Sequence, residues 1–431
     1  MLEIFNLGYN HTHMVKAAKR ILYFPIAGYF RFFARIYLKR WNPKVIVVTG
    51  SQGKTTLFSM LQSQFKDKAL YAERANSSFG IPFHILGLTR KTFGLFEWPL
   101  FALRAPFQAF RKIENTGIYI VEADCDRPGE GAFLARLLRP TATAIVSASR
   151  THSMNFKVAT STTIESVIAK EFAQFAEYTN DLVLLNADVP ELIFHTKNIR
   201  AKIERIQLSE ILSSYQVKEN GTEFTLQSGV YVFPYLLPKD VARSIVMTEK
   251  MCAHFHIAFD PTFAELVLPP GRNSLFAGSK DIRIIDSSYN TSPESIRAMF
   301  ELFALYPKSP KWVVLGDMLE LGEYEVEEHA RIAERLNEFN PDRIIFVGPR
   351  LRASTLSHLE DSLKERTVSY LRPDEALQYL EAELRGGEIV LFKGARFLEG
   401  IIERLLVNKS DVNLLARRED VWVQRRKQWG L

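Results

Sequence analysis

The sequence predicts an α/β protein of two successive domains, each a parallel sheet flanked by helices. Three observations predict it. Short β-branched runs recur, separated by helix-like stretches, which is the pattern of buried parallel strands joined by crossover helices. The run at Val45 passes directly into a glycine turn and a helix start. Pro269-Pro270-Gly271 breaks the chain where its character changes.

In order, the first strand is Val45–Val48, followed by Ile118–Glu122, Ala144–Ser147 and Leu182–Asn186. Ile206–Leu208, Glu223–Leu226 and Val230–Phe233 read as a small β-rich excursion. Beyond the proline break come Ile282–Asp286, Trp312–Leu315, Arg343–Val347 and Ile389–Phe392. With 431 residues, 47% hydrophobic and 24% charged, the chain is long enough for two or three domains with buried cores. Two cysteines, Cys125 and Cys252, exclude a disulfide framework and fit a reducing, cytoplasmic compartment. The net charge of +6 favours anionic partners: a nucleotide, a phosphate or an anionic membrane face. The basic residues are dispersed and carry no DNA- or RNA-binding signature, so nucleic acid is not an expected partner.

Two segments are rich in aromatic residues. Residues 21–38 contain an uncharged run of only ten residues, Ile21–Phe30, before Arg31 and Arg35 interrupt it. A bilayer span needs about 20. The mixture of aromatics with Lys16, Lys19, Arg20, Arg31, Arg35, Lys39 and Arg40 leaves two arrangements open: a helix in a membrane interface, or one packed on the protein. Residues 93–110 have the same character.

The segment Val45-Ile-Val-Val-Thr-Gly50-Ser51-Gln52-Gly53-Lys54-Thr55-Thr56 carries the most specific chemistry. Gly50 and Gly53 permit tight turning and close approach of backbone N–H groups to phosphate, and the following helix N-terminus favours negative charge. Lys54 is placed to pair with β- and γ-phosphates, and the Thr55 hydroxyl to bind Mg²⁺. Valine stands at position 48 where the strict Walker spacing has glycine, while the shorter form G-S-Q-G-K-T-T is complete. The expected organisation is therefore an N-terminal amphipathic segment, 1–44, then a P-loop parallel-sheet ATPase domain, 45–274. A smaller Rossmann-like α/β domain, 275–431, follows.

That shorter loop, with the motifs that follow it, resembles the Mur ligase family. Asn76-Ser77-Ser-Phe-Gly80-Ile-Pro82, Ile120-Val-Glu122-Ala-Asp124, Pro128-Gly129-Glu130, Arg139-Pro140, His152, Ala169-Lys170-Glu171 and Asn186-Ala-Asp188 follow in the family's order. Gly271-Arg272, Asp286-Ser-Ser-Tyr289-Asn290-Thr-Ser-Pro293-Glu-Ser295, Leu315-Gly-Asp317-Met-Leu-Glu320-Leu-Gly322 and Lys393-Gly394-Ala-Arg396 are similar to the branch that adds D-alanyl-D-alanine. The resemblance covers about residues 45–406.

The resemblance implies an ATP-dependent ligase of peptidoglycan precursor synthesis that works through an acyl-phosphate. Thr55 and Glu122 would hold one Mg²⁺, and His152 would help hold a second. Lys170 would be carbamylated and serve the metal site as an anion. Gly50 to Thr56 and Asn186 would bind the nucleotide, Asp286, Tyr289 and Asn290 would sit at the nucleotide or the domain junction, and Arg272 would reach across the domain boundary to the γ-phosphate. Asn76 and Ser77 would meet the substrates, a muropeptide-type acceptor and an amino acid or dipeptide amine, and Lys393 and Arg396 would face the incoming dipeptide's carboxylate or the domain junction. His329 reads as a helix-surface residue outside the site.

Three departures bear on the acceptor. Only 44 residues precede Val45, where the family's UDP-binding domain is expected. The Pro82-to-Glu122 interval carries the extra aromatic segment, and Ser292 replaces a second asparagine. A lipid-linked or other membrane-bound acceptor is the alternative to a UDP-linked one, with the enzyme at the inner face of the cytoplasmic membrane. A catalytically silent ATP-binding scaffold is the alternative from another class, against which the complete set Thr55, Glu122, His152 and Lys170 stands.

Overall fold

The structure, a computed structural model, describes residues 13–431 except 74, 91–96, 152 and 157–161, with side chains from residue 22 onward. His152 and residues 93–96 of the second aromatic segment therefore lie outside the described residues. The chain divides into two compact units. One comprises residues up to Lys54 with 65–148 and 166–205, and the other comprises 55–64, 149–165 and 206–431.

The first unit is built on strands β1 (Lys44–Thr49), β2 (Ala69–Ala72), β3 (Ile118–Ala123), β4 (Ala142–Ile145), β5 (Leu182–Asn186) and β6 (Lys202–Ile206). Their order is β2-β3-β1-β4-β5-β6, and β1 pairs parallel with both β3 and β4. Ile46–Val48, Tyr119–Val121 and Val183–Leu185 are fully buried, as strands covered on both faces must be. The chain leaves β1 toward one side of the sheet and returns for β4 on the other. That makes the carboxyl end of β1 the switch point at which open α/β sheets bind ligands.

The helices of this part are α1 (His13–Trp41), α3 (Gly80–Ile85), α4 (Glu97–Gln108), α5 (Glu130–Leu138) and α6 (Ile164–Glu177), while α2 (Lys54–Phe65), which follows β1 in the chain, belongs from Thr55 to Gln64 to the second unit. Helix α1 buries Ala27, Phe30, Ala34, Tyr37 and Trp41, a spacing of alternate threes and fours that draws one stripe along a helix. It packs on α3, α4 and α5. Trp41 Nε1 donates to Thr116 O (2.7 Å), Arg40 Nη1 to Ala109 O (2.8 Å) and Tyr29 OH to Ala102 O (2.8 Å). Phe30 and Phe101 are core residues. The described parts of both aromatic segments thus pack on each other and on the unit along one face, while their other faces stay exposed.

The second unit holds an antiparallel sheet, β7 (Leu212–Lys218), β8 (Gly221–Leu226) and β9 (Gly229–Phe233). Its larger sheet contains β10 (Ser274–Gly278), β11 (Ile282–Ser287), β12 (Lys311–Gly316), β13 (Arg343–Val347), β14 (Thr367–Tyr370) and β15 (Ile389–Lys393), ordered β10-β11-β15-β12-β13-β14. Only the β10–β11 pairing in it is antiparallel. Alternate residues serve opposite faces. Ile285, Val313, Leu315, Phe346 and Leu391 pack with the helices Pro293–Leu305 and Glu325–Phe339. Ile284, Val314, Ile345, Val390 and Phe392 pack with Pro373–Glu383 and Leu398–Leu405.

The α/β class and the predicted parallel strands are observed, with two differences. The strand expected at Ala144–Ser147 spans Ala142–Ile145, because Val146 and Ser147 leave the ladder to meet the glycine loop. Strands β2, β6, β7, β10 and β14 were not foreseen, and of the strand expected at Ile206–Leu208 only Ile206 lies in one, at the end of β6, because Leu208 opens a short helix, Leu208–Ile211. β2 is four residues with alanine at both ends, and β10 and β14 are edge strands whose polar and small residues mask the apolar run.

Candidate functional site

In the first unit the loop after β1 closes against the ends of its neighbours. Gly50 has a φ of 134°, and a Cβ there would lie 2.7 Å from Ser147 O, so only glycine fits. Ser51 N donates to Ser147 O (3.2 Å), Gln52 N to Ser147 Oγ (2.8 Å), and Ser147 Oγ donates to Gln52 O (2.8 Å). Lys54 is buried. Its Nζ donates to Gly50 O (2.5 Å) and Ser51 O (3.3 Å) and pairs with Asp124 Oδ2 at 3.0 Å. Burial alone would disfavour the ammonium, but Asp124 and Glu122 outweigh it, and the pKa is raised. The loop is thus held as a turn with a cation at its base.

The surrounding residues of this unit are set by β3, β4 and β5. Asn186, at the end of β5, donates from Nδ2 to Val146 O (2.8 Å) and accepts Asp188 N (2.9 Å), which fixes the loop after β4. Asn76 O accepts Asp124 N (2.8 Å), and Ser77 Oγ accepts Gly80 N (3.1 Å). Glu122 is half-buried at the end of β3. Lys170 is exposed on α6, and its neighbour Glu171 accepts Gly129 N (2.8 Å) and Gly131 N (3.1 Å). Sequence reasoning missed three supports: Asp124, Ser147, and Glu130, whose buried carboxylate accepts Ser78 N (2.9 Å), Ser78 Oγ (2.6 Å) and Asp126 N (3.1 Å). Burial, and next the Asp126 charge, raise the pKa of Glu130. Glu130 was visible in the Pro128-Gly129-Glu130 motif; Ser147 had no signal of its own.

In the second unit Arg272 Nη2 donates to Thr55 Oγ1 (3.1 Å) at the first turn of α2, and its guanidinium lies 4.8 Å from the Tyr289 ring centre. Tyr289 and Asn290 are exposed, just beyond β11. Arg417 closes the group by donating to Tyr289 O (2.6 Å). Asp286 is buried and accepts Ser288 N (3.0 Å) and Ser288 Oγ (2.6 Å) on one oxygen. Its Oδ2 has no hydrogen-bond partner among the described residues, and burial raises its pKa. Lys393 is buried and donates to Asn290 O (2.9 Å) and Ser287 Oγ (3.3 Å). Burial, then repulsion from Arg272, bring it down to about 7.

Arg396 donates to Asp317 Oδ2 from Nε (3.0 Å) and Nη2 (2.7 Å). A Cβ on Gly316 would lie 1.8 Å from Ala395 O, so the ends of β12 and β15 touch backbone to backbone, and this brings Asp317 against Arg396. His329 is not a surface residue. It is fully buried, accepts Met318 N on Nε2 (3.2 Å), and has Nδ1 2.7 Å from Glu325 O. A neutral ring protonated at Nδ1 satisfies both contacts, and burial lowers its pKa accordingly. The cue was its place one helical turn after Glu325, close behind the Leu315–Gly322 motif.

Comparison with known proteins agrees with this arrangement. The family model described as the Mur ligase glutamate ligase domain matches residues 271–396, from the Arg272 turn to Arg396. The UDP-N-acetylmuramoyl-tripeptide–D-alanyl-D-alanine ligase of Bacillus subtilis is 26% identical over 390 residues, covering 86% of this chain and 78% of its own length. Residues 271–396 thus carry a Mur ligase domain, and most of the chain is similar to ligases of that family. The Escherichia coli ligase of the same name is 25% identical over 384 residues, 85% of this chain and 77% of that protein. Among solved structures, the MurF ligase of Thermotoga maritima in complex with ADP shares the fold with a TM-score of 0.69 at 20% identity, covering 93% of this chain and 84% of that one. The glycine loop and the Arg272–Arg396 groups therefore stand on the fold that this MurF structure shares, as the motifs led one to expect.

Proposed function

We propose that the protein is an ATP-dependent amide-bond ligase of peptidoglycan precursor synthesis that joins D-alanyl-D-alanine, or a similar amine, to a muropeptide carboxylate. The observation that carries this reading is the Gly50–Thr55 loop with Lys54 held charged at its base, in a chain whose relatives over most of its length are named UDP-N-acetylmuramoyl-tripeptide–D-alanyl-D-alanine ligases. Backbone N–H groups of Gly50–Gly53 and the first turn of α2 cradle phosphate. Lys54 neutralises charge on the transferring group, and Arg272 adds a planar fork of donors. Transfer of that group to the acceptor carboxylate gives an acyl-phosphate, which the amine attacks with release of phosphate. The oxygens of Thr55 and Glu122 are hard donors that suit Mg²⁺, which supplies further charge neutralisation at the phosphates. His152 belongs to the proposed second metal set.

We assign Ser51, Gln52, Thr56, Asn186, Asp286, Tyr289 and Asn290 to the nucleotide, and Asn76, Ser77, Lys393 and Arg396 to the substrates. The functional domains are 1–44, 45–274 and 275–431. Lys170 acts as a carbamate: reaction of its amine with CO₂ replaces a cation by an anion able to serve a metal. A lipid-linked acceptor is the second reading, favoured by the exposed aromatic faces of α1 and α4. The test is a phosphate-release screen with ATP, Mg²⁺ and D-alanyl-D-alanine against UDP-linked and lipid-linked muropeptides. Release that needs both acceptor and amine supports the assignment; release indifferent to both overturns it.

A further inference from the structure

In the first unit, one face of α1 and one face of α4 form an exposed apolar ridge. Phe32 is 60% exposed, Leu103 69%, Phe107 79% and Phe110 66%, with Leu22 and Leu100 each at 52%. The two faces are tied together by the Tyr29–Ala102 hydrogen bond and by the Arg40–Ala109 and Arg40–Arg111 bonds at their ends. The opposite faces of the same helices are core, so exposure here does not reflect loose packing. Single exposed apolar residues are ordinary; a contiguous aromatic ridge marks an interaction surface.

Its charge points to the partner. From Leu22 to Trp41 there is no acidic residue, while Arg35, Lys39 and Arg40 are exposed along the helix; Arg31 turns instead to Phe133, donating to its carbonyl oxygen (3.2 Å). Arg104 and Lys112 are exposed on the α4 side, and the acids there are already taken: Glu97 by Arg90 and Glu114 by Arg111. No described helix is long and apolar enough to cross a membrane. Aromatic side chains above a basic rim are the make-up of a surface lying at the headgroup level of an anionic bilayer, with arginines reaching the phosphates.

We propose that the α1–α4 ridge docks the enzyme on an anionic lipid surface. This deepens the lipid-linked reading of the acceptor: the consequence for substrate rests on that reading, whereas the binding itself does not. The test is co-sedimentation of the full chain with phosphatidylglycerol/phosphatidylcholine vesicles and with phosphatidylcholine alone, at low and high salt. A Phe32→Ser/Leu103→Ser/Phe107→Ser/Phe110→Ser variant changes only exposed side chains. Ligation of a soluble muropeptide is measured alongside. The expected result is binding to the anionic vesicles that falls at high salt, at least a tenfold weaker partition for the variant, and unchanged soluble ligation. Wild type remaining in the supernatant at low salt, or a variant that binds as well, overturns the proposal. Salt-resistant self-association abolished by the variant, without vesicle binding, also overturns it and makes the ridge a contact between copies. Wild type that binds the anionic vesicles but ligates no muropeptide would sink the ligase reading alone.

Discussion

Replacing Lys54 by alanine leaves a carboxylate without its cation. Lys54 and Asp124 stand 3.0 Å apart with side chains only 8% and 12% exposed. At an effective dielectric of about 20, unit charges at that distance attract by about 5.5 kcal/mol, most of it offset by desolvation of both groups. Removing one partner of a buried pair typically costs about 3–5 kcal/mol. The Cys125 N–H still donates to Asp124 Oδ1 (2.9 Å), which places Lys54→Ala near the lower end, about 3 kcal/mol. Asp124→Ala should cost about as much, since Lys54 would remain buried with the Gly50 and Ser51 carbonyls and only the Glu122 and Asp126 charges to oppose its desolvation. The double variant leaves no charge and should cost only about 1–2 kcal/mol beyond wild type, so the coupling is large and favourable. Because the Lys54 pKa is raised, its contribution is fully present below the ordinary lysine value and is lost only as pH rises through the higher folded value. The cycle is therefore flat between about pH 6 and 9. Urea unfolding of the four proteins without nucleotide measures it. Single-variant losses below about 1 kcal/mol, or losses that simply add in the double variant, would refute the buried pair.

Other expectations follow from the same geometry. Lys393→Met removes an amine whose folded pKa, about 7, lies below its unfolded value. Wild type should therefore gain stability relative to the variant as pH rises from about 7 toward 10, by at most about 1.4 kcal/mol per unit; a pH-independent difference would refute it. Arg272→Lys loses the fork that reaches Thr55 and should lower kcat for phosphate release about 10–100-fold, as expected for a charge-assisted hydrogen bond of about 1.5–3 kcal/mol, with unfolding unchanged. His329→Leu strands the Met318 N–H and should destabilise by about 1–3 kcal/mol without changing substrate KM in the folded fraction. Lys170→Ala should be nearly inactive and partly restored by acetate; full activity without added carboxylate would dismiss the carbamate.

How far the sequence could be read depended on where the physical signal lay. Strands such as Leu182–Asn186 and Arg343–Val347 were legible to the residue, because each is an apolar run buried on both faces. The glycine loop was legible because Gly50 and Gly53 need backbone conformations that other residues rarely adopt. Asp124 and Ser147 were not: they meet the loop only because β3 and β4 flank β1, and strand order is a tertiary fact. His329 was misread for a related reason. Charged neighbours made its helix look solvated, but its own turn faces β12. The aromatic segments were legible as unusual, yet no local pattern said which stripe would face the core. Helix α1 divided them residue by residue, with Phe30 inside and Phe32 outside.

The most direct test of the central claim follows an oxygen atom. The full chain would be incubated with ATP, Mg²⁺, D-alanyl-D-alanine and a UDP-linked or lipid-linked muropeptide whose terminal carboxylate carries ¹⁸O, and the released phosphate analysed by mass spectrometry. If ATP activates the carboxylate as an acyl-phosphate, each phosphate released carries one ¹⁸O from the acceptor and appears in step with the new amide. Phosphate that forms without label, or at the same rate without acceptor and amine, would contradict the assignment.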